Sequence, residues 1–323
     1  DAKNLGRNAH AGKGGIFVIE ADEYDNMFLG LTPQMAVVST LEHDHPDCFP
    51  TRESYNQAFL NFVNRIPSGG TLVTCADDKG ALWLAQSHGR ADVRTFTYGA
   101  ENNADYRAID LLPNARGGFD TKINHYGSPL CQLSLQVPGE HNALNALAVL
   151  VVVHQLGHSV EKAAAALSEF SGTGRRFEVL GEASGVTVID DYAHHPTEIR
   201  ATLSAARSRY PGRRILAVWQ PHTFSRTISL LSEFTAALNL ADGIVITEVY
   251  AAREKGQGFS SAAIVEGMSH PSAYFAPTLS DAANHLLDQV RPGDVLLVLS
   301  AGDADQISAS VLANLESREE PNA

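Results

Sequence analysis

Cysteine is scarce: Cys48, Cys75 and Cys131 are the only three in 323 residues, and their spacing matches no metal-binding pattern. So odd and scattered a set argues against a disulfide framework and for reduced thiols in a cytosol. Basic residues are in deficit too, 24 against 37 acidic ones, for a formal net charge of −13. That balance argues against nucleic acid or anionic membrane as the main partner. It leaves room for an anionic nucleotide, which needs only a local positive site. Long apolar runs are missing as well. The most apolar stretch, residues 143–153, is interrupted by Asn145. It falls short of the roughly 20 residues that cross a bilayer and reads as a buried helix. No signal peptide, internal repeat or low-complexity tract is visible. Nothing matches GxxxxGK[ST], and Lys13-Gly14-Gly15 has neither the spacing nor the hydroxyl residue to replace that phosphate loop. The chain begins at Asp1, not Met, and reads as a fragment.

What is present describes a globular protein with ample core: 44% hydrophobic and 19% charged residues, at a length that suits two domains. Residues 15–21, 34–40, 71–76 and 94–98 read as strands, the first two buried. Residues 52–66 read as a helix, with Tyr55, Phe59, Phe62, Val63 and Ile66 on one face, and 79–87 as another. Residues 105–137, broken by Asn114, Gly117, Gly118 and Gly127, suggest antiparallel hairpins. Residues 141–156 and 160–170 read as paired helices, and Gly172-Thr173-Gly174 as a linker. Beyond it, apolar strands at 214–219, 243–248 and 294–299 alternate with helices at 196–208, 226–240, 260–268, 279–290 and 303–315. That alternation indicates a mainly parallel sheet covered on both faces. Two α/β domains, 1–173 and 174–315, are expected, with a fraying polar tail at 316–323.

The richest segment is Val188-Ile189-Asp190-Asp191-Tyr192-Ala193-His194-His195-Pro196-Thr197-Glu198. An apolar strand breaks into acids, a tyrosine and two histidines, then opens a helix at a proline, which is well placed at a first helical position. In open α/β sheets ligands bind at the carboxyl ends of strands. Similar logic applies to Glu20, which ends an apolar run and is followed by Asp22, Glu23 and Asp25, and to His45 after the next strand. Carboxylates there suit Mg²⁺, a hard cation; acids that merely solvate a loop are the alternative. The HxHxD pattern from His43 also hints at a metallo-hydrolase, but the sixth position is Cys48, not His. Asn142 and Asn145 are three apart at a helix start, hence on one face; helix capping is the plainer role for Asn142. Arg175-Arg176 follow a flexible Gly-Thr-Gly, where a guanidinium can clamp phosphate or, for Arg175, form an ion pair. His222 and Arg226 stand after the 214–219 strand, placed to hold an anionic group. Ser300-Ala301-Gly302-Asp303 either shapes the same crevice or makes a tight turn.

"DDYAHHPTEI" resembles the C-terminal domain of the Mur ligases, in particular their alanine-adding branch. "EADEYDNMF", "LEHDH", "PGEHNALNALAV" and "GTGRRFE" agree in the family's order, as do "QPHTFSRT" and "VYAARE". The resemblance implies most of a central ATP-binding domain, its parallel sheet accompanied by a small antiparallel one. A Rossmann-like C-terminal domain follows. It implies a cytoplasmic, ATP-dependent ligase of peptidoglycan precursor synthesis that joins L-alanine to the carboxylate of UDP-N-acetylmuramate through an acyl phosphate. Glu20 and His45 would hold Mg²⁺. Asn142 and Asn145 would face adenine, while Arg176 and Asp191 would touch the nucleotide. Tyr192, His194, His195, His222 and Arg226 would face the substrates, with Glu20, His45, Arg176 and His195 as the catalytic set. The family's phosphate loop and UDP-sugar domain precede the matched segment, so this stretch alone is not expected to complete the reaction. Thr223 departs from the pattern, standing where the alanine adders usually carry a second arginine. That keeps open a sister ligase that returns recycled tripeptide to the same nucleotide sugar. A non-catalytic Mur-like subunit binding nucleotide or precursor is the remaining alternative.

Overall fold

A computed structural model describes residues 2–256 and 258–319. They form two compact units: Ala9–Phe170, and Ser171 onward together with residues up to Asn8. No helix among the described residues is long and apolar enough to cross a membrane.

The first unit begins with a 3₁₀ turn, Tyr24–Gly30, and continues as β1 (Met35–Val38), α1 (Arg52–Val63), β2 (Thr71–Cys75), α2 (Lys79–Ser87) and β3 (Arg94–Gly99). Then come β4 (Tyr106–Pro113), β5 (Phe119–His125), β6 (Ser128–Ser134), α3 (Glu140–Gln155) and α4 (Val160–Ser168). The strands form one sheet in the order β1-β2-β3-β4-β5-β6. The antiparallel strands are therefore not a sheet of their own. β3 pairs with β4 in parallel through Tyr98 and Gly99, and the antiparallel ladder starts beyond that join. Thr51 caps α1 and Asp78 caps α2, each accepting a backbone N–H of the first turn. Phe28 is buried against Phe59 and Phe62 of α1, stacked on Phe62 at 4.6 Å between ring centroids. This aromatic anchor fixes the acidic segment just before it.

Residues 15–21 correct the sequence reading. They carry no ladder pairing among the described residues, and Phe17 and Val18 are 84% and 87% exposed. β1 pairs with β2 alone. A strand's hydrogen bonds belong to its neighbour, so an apolar run without one is not a strand.

The second unit comprises β7 (Glu178–Ala183), β8 (Val186–Asp191), α5 (Pro196–Arg209), β9 (Ile215–Trp219), α6 (Phe224–Ser229), α7 (Leu231–Leu238), β10 (Gly243–Thr247), α8 (Ala262–Gly267), β11 (Ala273–Ala276), α9 (Leu279–Gln289), β12 (Val295–Leu299) and α10 (Asp305–Glu319). Its sheet runs β11-β10-β9-β12-β8-β7 and is parallel except for β7. Leu297 and Leu299 join the core beneath α5 and α7, whereas Leu296 and Val298 join the one beneath α9 and α10. Successive strand residues face opposite sides, which is why every position of β9, β10 and β12 is buried.

Three differences from the sequence reading stand out here. β7 was not legible because its residues are half exposed; the signal was Ser184-Gly185, both at positive φ (50° and 71°), the two-residue turn that closes a hairpin. The helix expected at 226–240 is two, α6 and α7, parted at Leu230, whose φ of −115° and ψ of 22° interrupt the spiral. The tail is helical through Glu319, because Leu315 is buried and Arg318 reaches the Leu287 carbonyl. The fraying expected for 320–323 lies outside the described residues.

Candidate active site

The polar groups of the second unit gather at the carboxyl ends of its parallel strands. β8 ends in Asp190 and Asp191, both buried. Arg175, held at φ 57°, donates to Asp190 Oδ2 at 3.1 Å and to the Ser300 carbonyl at 2.8 Å, tying the ends of β8 and β12 together. Its role is thus an ion pair within this unit. Asp191 is 5% exposed, and both its oxygens accept backbone N–H groups: Oδ1 from Ala193 at 2.7 Å, Oδ2 from Phe177 at 2.6 Å. Burial pushes its carboxyl up to about 6, against the opposing pull of those amides and of Arg176. Arg176 is exposed, with Nη1 3.6 Å from Glu198 Oε1. Both guanidinium groups lie over the Tyr192 ring, 5.2 and 5.4 Å from its centroid.

The two histidines differ. His195 is the N-cap of α5: its Nδ1 accepts the Thr197 N–H at 3.4 Å in a capping box completed by Glu198. His194 turns its Nδ1 to the Tyr192 carbonyl and to Glu198. From there a row of rings crosses the sheet edge. Tyr192 meets His194 edge-on, His194 meets His222 edge-on at 5.9 Å, and His222 stacks on Tyr250 at 5.7 Å. Buried Arg226 donates to His222 Nδ1 at 3.3 Å. Thr223 is 3% exposed at φ 66°, its N–H bonded to the Tyr250 carbonyl. A β-branched residue there is strained.

Gln220 Oε1 accepts from the Ser300 hydroxyl and from the Asp303 and Ala304 amides, while its Nε2 donates to Asp303 at 2.7 Å. A side chain at Gly302 would meet that Gln220 oxygen at 2.5 Å and the Tyr250 ring at 2.6 Å, so only glycine fits. Glu254 accepts the Phe224 and Ser225 amides and the Ser225 hydroxyl, pinning the loop after β10 to the start of α6. A cavity of about 360 Å³ opens beside this edge, lined by Gln220, Thr247, Glu248, Tyr250, Thr278 and Asp303 among others.

In the first unit, Glu20 is exposed, and no contact brings it to His45. The carboxylates at His45 belong to Glu23, with Oε1 3.1 Å from Nε2, and to Asp44 at 3.8 Å. His45 sits at φ 53°, and the Tyr24 ring meets it edge-on at 5.2 Å. The His45 bond holds the Glu23 carboxyl below the usual range in spite of burial. Among the described residues no three metal-ligating side chains converge. Magnesium takes only one or two protein carboxylates beside phosphate oxygens, so His45 with the carboxylates of Glu23 and Asp44 fits it. Asn142 does not cap α3; its Nδ2 donates to the Pro138 carbonyl at 2.7 Å. Asn145, one turn on, is exposed and interrupts the apolar stretch 143–153 of the helix.

The strand-end motifs agree with known proteins. Residues 5–153 match the model of the Mur ligase middle domain, and 175–302 that of the Mur ligase glutamate ligase domain. The chain belongs to the Mur ligase family. The UDP-N-acetylmuramate–L-alanine ligase of Renibacterium salmoninarum is 45% identical over 95% of this chain and 65% of its own length. That of Mycolicibacterium gilvum is 40% identical over 98% and 68%. Among solved structures, the UDP-N-acetylmuramate–alanine ligase of Thermotoga maritima superposes with a TM-score of 0.74 at 27% identity, over 93% of this chain and 63% of that one. This Mur ligase chain thus spans about two thirds of the length of such relatives.

Sequence reasoning gave no individual role to Glu198, Gln220 and Glu254 of this Mur ligase, and left Glu23 as one of several carboxylates suited to Mg²⁺. Glu198 was the most legible, being four residues beyond His194 and at the capping-box position of a proline-started helix. Glu254 closes the VYAARE segment, but its partners lie thirty residues back, which no local pattern shows.

Proposed function

We propose that the protein is an ATP-dependent ligase that joins L-alanine to the carboxylate of UDP-N-acetylmuramate, acting in the cytosol in peptidoglycan precursor synthesis. A carboxylate is a poor electrophile, so phosphoryl transfer from ATP first makes an acyl phosphate. The amine of L-alanine then attacks, and phosphate leaves as the amide forms. The observation that carries this reading is the sheet edge of the second unit, where Arg176, His222 and Arg226 supply positive or donor groups beside two imidazoles. Its support is the high identity to ligases of that activity along nearly the whole chain. His222 and Arg226 would hold an anionic substrate group, and Tyr192 would bound the amino-acid side. Asn142 and Asn145 would face adenine, and exposed Arg176 would reach phosphate. Asp191 would act through the backbone it fixes and through any ribose hydroxyl it can reach.

Magnesium belongs to the proposal, held by His45 with carboxylates of the Glu20–Glu23 segment and Asp44. When bound it would neutralise charge on the transferring phosphoryl group. The test uses protein expressed from the complete coding sequence. Phosphate release should require UDP-N-acetylmuramate, L-alanine and Mg-ATP together. Release that prefers a tripeptide acceptor over L-alanine would instead favour the recycling ligase that Thr223 leaves open. Nucleotide binding without any release would favour a non-catalytic subunit.

A further inference from the structure

By local rules α6 starts badly. Its N-cap is Thr223, at φ 66° and ψ 143°, and the Thr223 side chain caps nothing. A β-branched residue at positive φ is strained, and such strain persists only where the surroundings over-determine the turn. The first amides of a helix also need acceptors, and here these come from another loop. Glu254 Oε2 accepts the Phe224 N–H at 2.6 Å and the Ser225 N–H at 3.1 Å, while its Oε1 accepts the Ser225 hydroxyl. Glu254 is itself set by a turn: its N–H donates to the Ala251 carbonyl at 2.8 Å, with Ala252 between them at φ 51°. Two backbone bonds join the same loops. The Thr223 N–H donates to the Tyr250 carbonyl at 2.9 Å, and the Tyr250 N–H to the Pro221 carbonyl at 2.8 Å. Those backbone bonds stop at Thr223, and Glu254 carries the tie on to α6.

The tie matters because three elements meet at one ring. His222 follows β9, stacks on Tyr250 of the loop after β10, and has Arg226 of α6 at 3.3 Å from its Nδ1. We propose that Glu254 is a positioning residue of the substrate-anion site: by capping α6 it keeps Thr223 in its strained turn and Arg226 in register with His222. The inference rests on the ligase reading above, in which His222 and Arg226 hold an anionic group. Glu254 acts through its hydrogen bonds and not through its charge. L-Alanine offers the site a single carboxylate, whereas UDP-N-acetylmuramate carries a diphosphate besides. A misplaced pair therefore weakens L-alanine first.

The test is the KM for L-alanine of protein expressed from the complete coding sequence, read by phosphate release at saturating UDP-N-acetylmuramate and Mg-ATP. Glu254→Ala removes the acceptor, and Glu254→Asp keeps the charge but is one methylene too short to reach both amides. Each should raise the KM for L-alanine about tenfold, with kcat and the KM for Mg-ATP within about twofold of the parent. Glu254→Gln should rescue. Its carbonyl can accept the two amides and its NH₂ can donate to the Ser225 hydroxyl, which rotates to suit. Its KM should stay within about twofold of the parent. Glu254 is half-buried on a loop, so the melting temperature should move by no more than about 4 °C in any variant. Should Glu254→Ala not fold, the contrast between Asp and Gln decides. A Gln variant as impaired as Ala beside a normal Asp variant would mean that charge is what counts, and overturns the assignment. So does an unchanged KM for L-alanine in both Ala and Asp, or a matching rise in the KM for Mg-ATP. A parent protein without L-alanine-dependent phosphate release overturns the ligase reading itself, and the assignment with it.

Discussion

Residues 16–19 and 186–189 are nearly interchangeable in composition: Ile-Phe-Val-Ile in one unit, Val-Thr-Val-Ile in the other, each leading into acids. Their fates are opposite. The second run is β8, with β12 on one side, β7 on the other and helices over both faces. Its acids are locked by Arg175 and by two backbone amides. The first run is exposed and pairs with nothing among the described residues, so no ladder fixes Glu20 at its end. The same local signal therefore gives a fixed constellation only where neighbouring strands supply the ladder. The histidine loop of the first unit is positioned by a different device, Phe28 locked between Phe59 and Phe62, which brings Glu23 to His45.

The largest effect is expected in the covered sheet. Trp219 is fully buried at the end of β9 and stacks on Phe234 at 4.6 Å. Trp219→Ala should cost about 3–5 kcal/mol in urea unfolding; a cost below about 1 kcal/mol would mean that this edge is not the rigid platform described. Next comes the pH response of Asp191. Its carboxyl is raised from 3.8 to about 6, so the stability it contributes is fully present below pH 4 and lost as the pH rises through 6. About two pH units correspond to about 3 kcal/mol. Asp191→Asn should flatten the fall in stability between pH 4 and 6, and an unchanged slope would remove burial as the cause. Asn145→Ala, on the exposed face of α3, should weaken Mg-ATP binding about tenfold, or about 1.4 kcal/mol, in calorimetric titration. Binding of L-alanine and the melting temperature should not change. A matching loss for both ligands would place Asn145 outside the adenine site. The smallest effect sharpens the comparison most. Phe17→Ser should shift stability by less than about 0.5 kcal/mol, as for other exposed positions. A loss as large as a core substitution's would show that residues 16–19 are paired in the protein after all.

Much of the second unit was readable from the chain itself. The runs of five apolar residues in β9 and β12 and the Ile-Val-Ile of β10 read as doubly covered strands, and Pro196 announced the start of α5. The expected change of texture after residue 105 was also real, but its attachment to the parallel strands through two residues of β3 and β4 was not visible. Thr223 shows the limit from the other side. Its identity suggested an anion site short of one arginine, whereas its burial and positive φ assign it to the backbone turn before α6.

By itself the sequence determined the two-domain α/β class, most of the strands and helices, the strand ends that collect the polar groups, and the kinship with the Mur ligases. Each depends on local periodicity, capping or contiguous motif, all of which act within a few residues. The tertiary structure alone decided which member of each motif is aimed and which is spent. It chose Glu23 over Glu20 beside His45 and separated His194 from His195. It tied Asp191 to backbone amides, and it stacked His222 on Tyr250. Those outcomes turn on whether a neighbouring strand, helix end or ring arrives from far along the chain to satisfy a hydrogen bond, and no local pattern encodes that arrival.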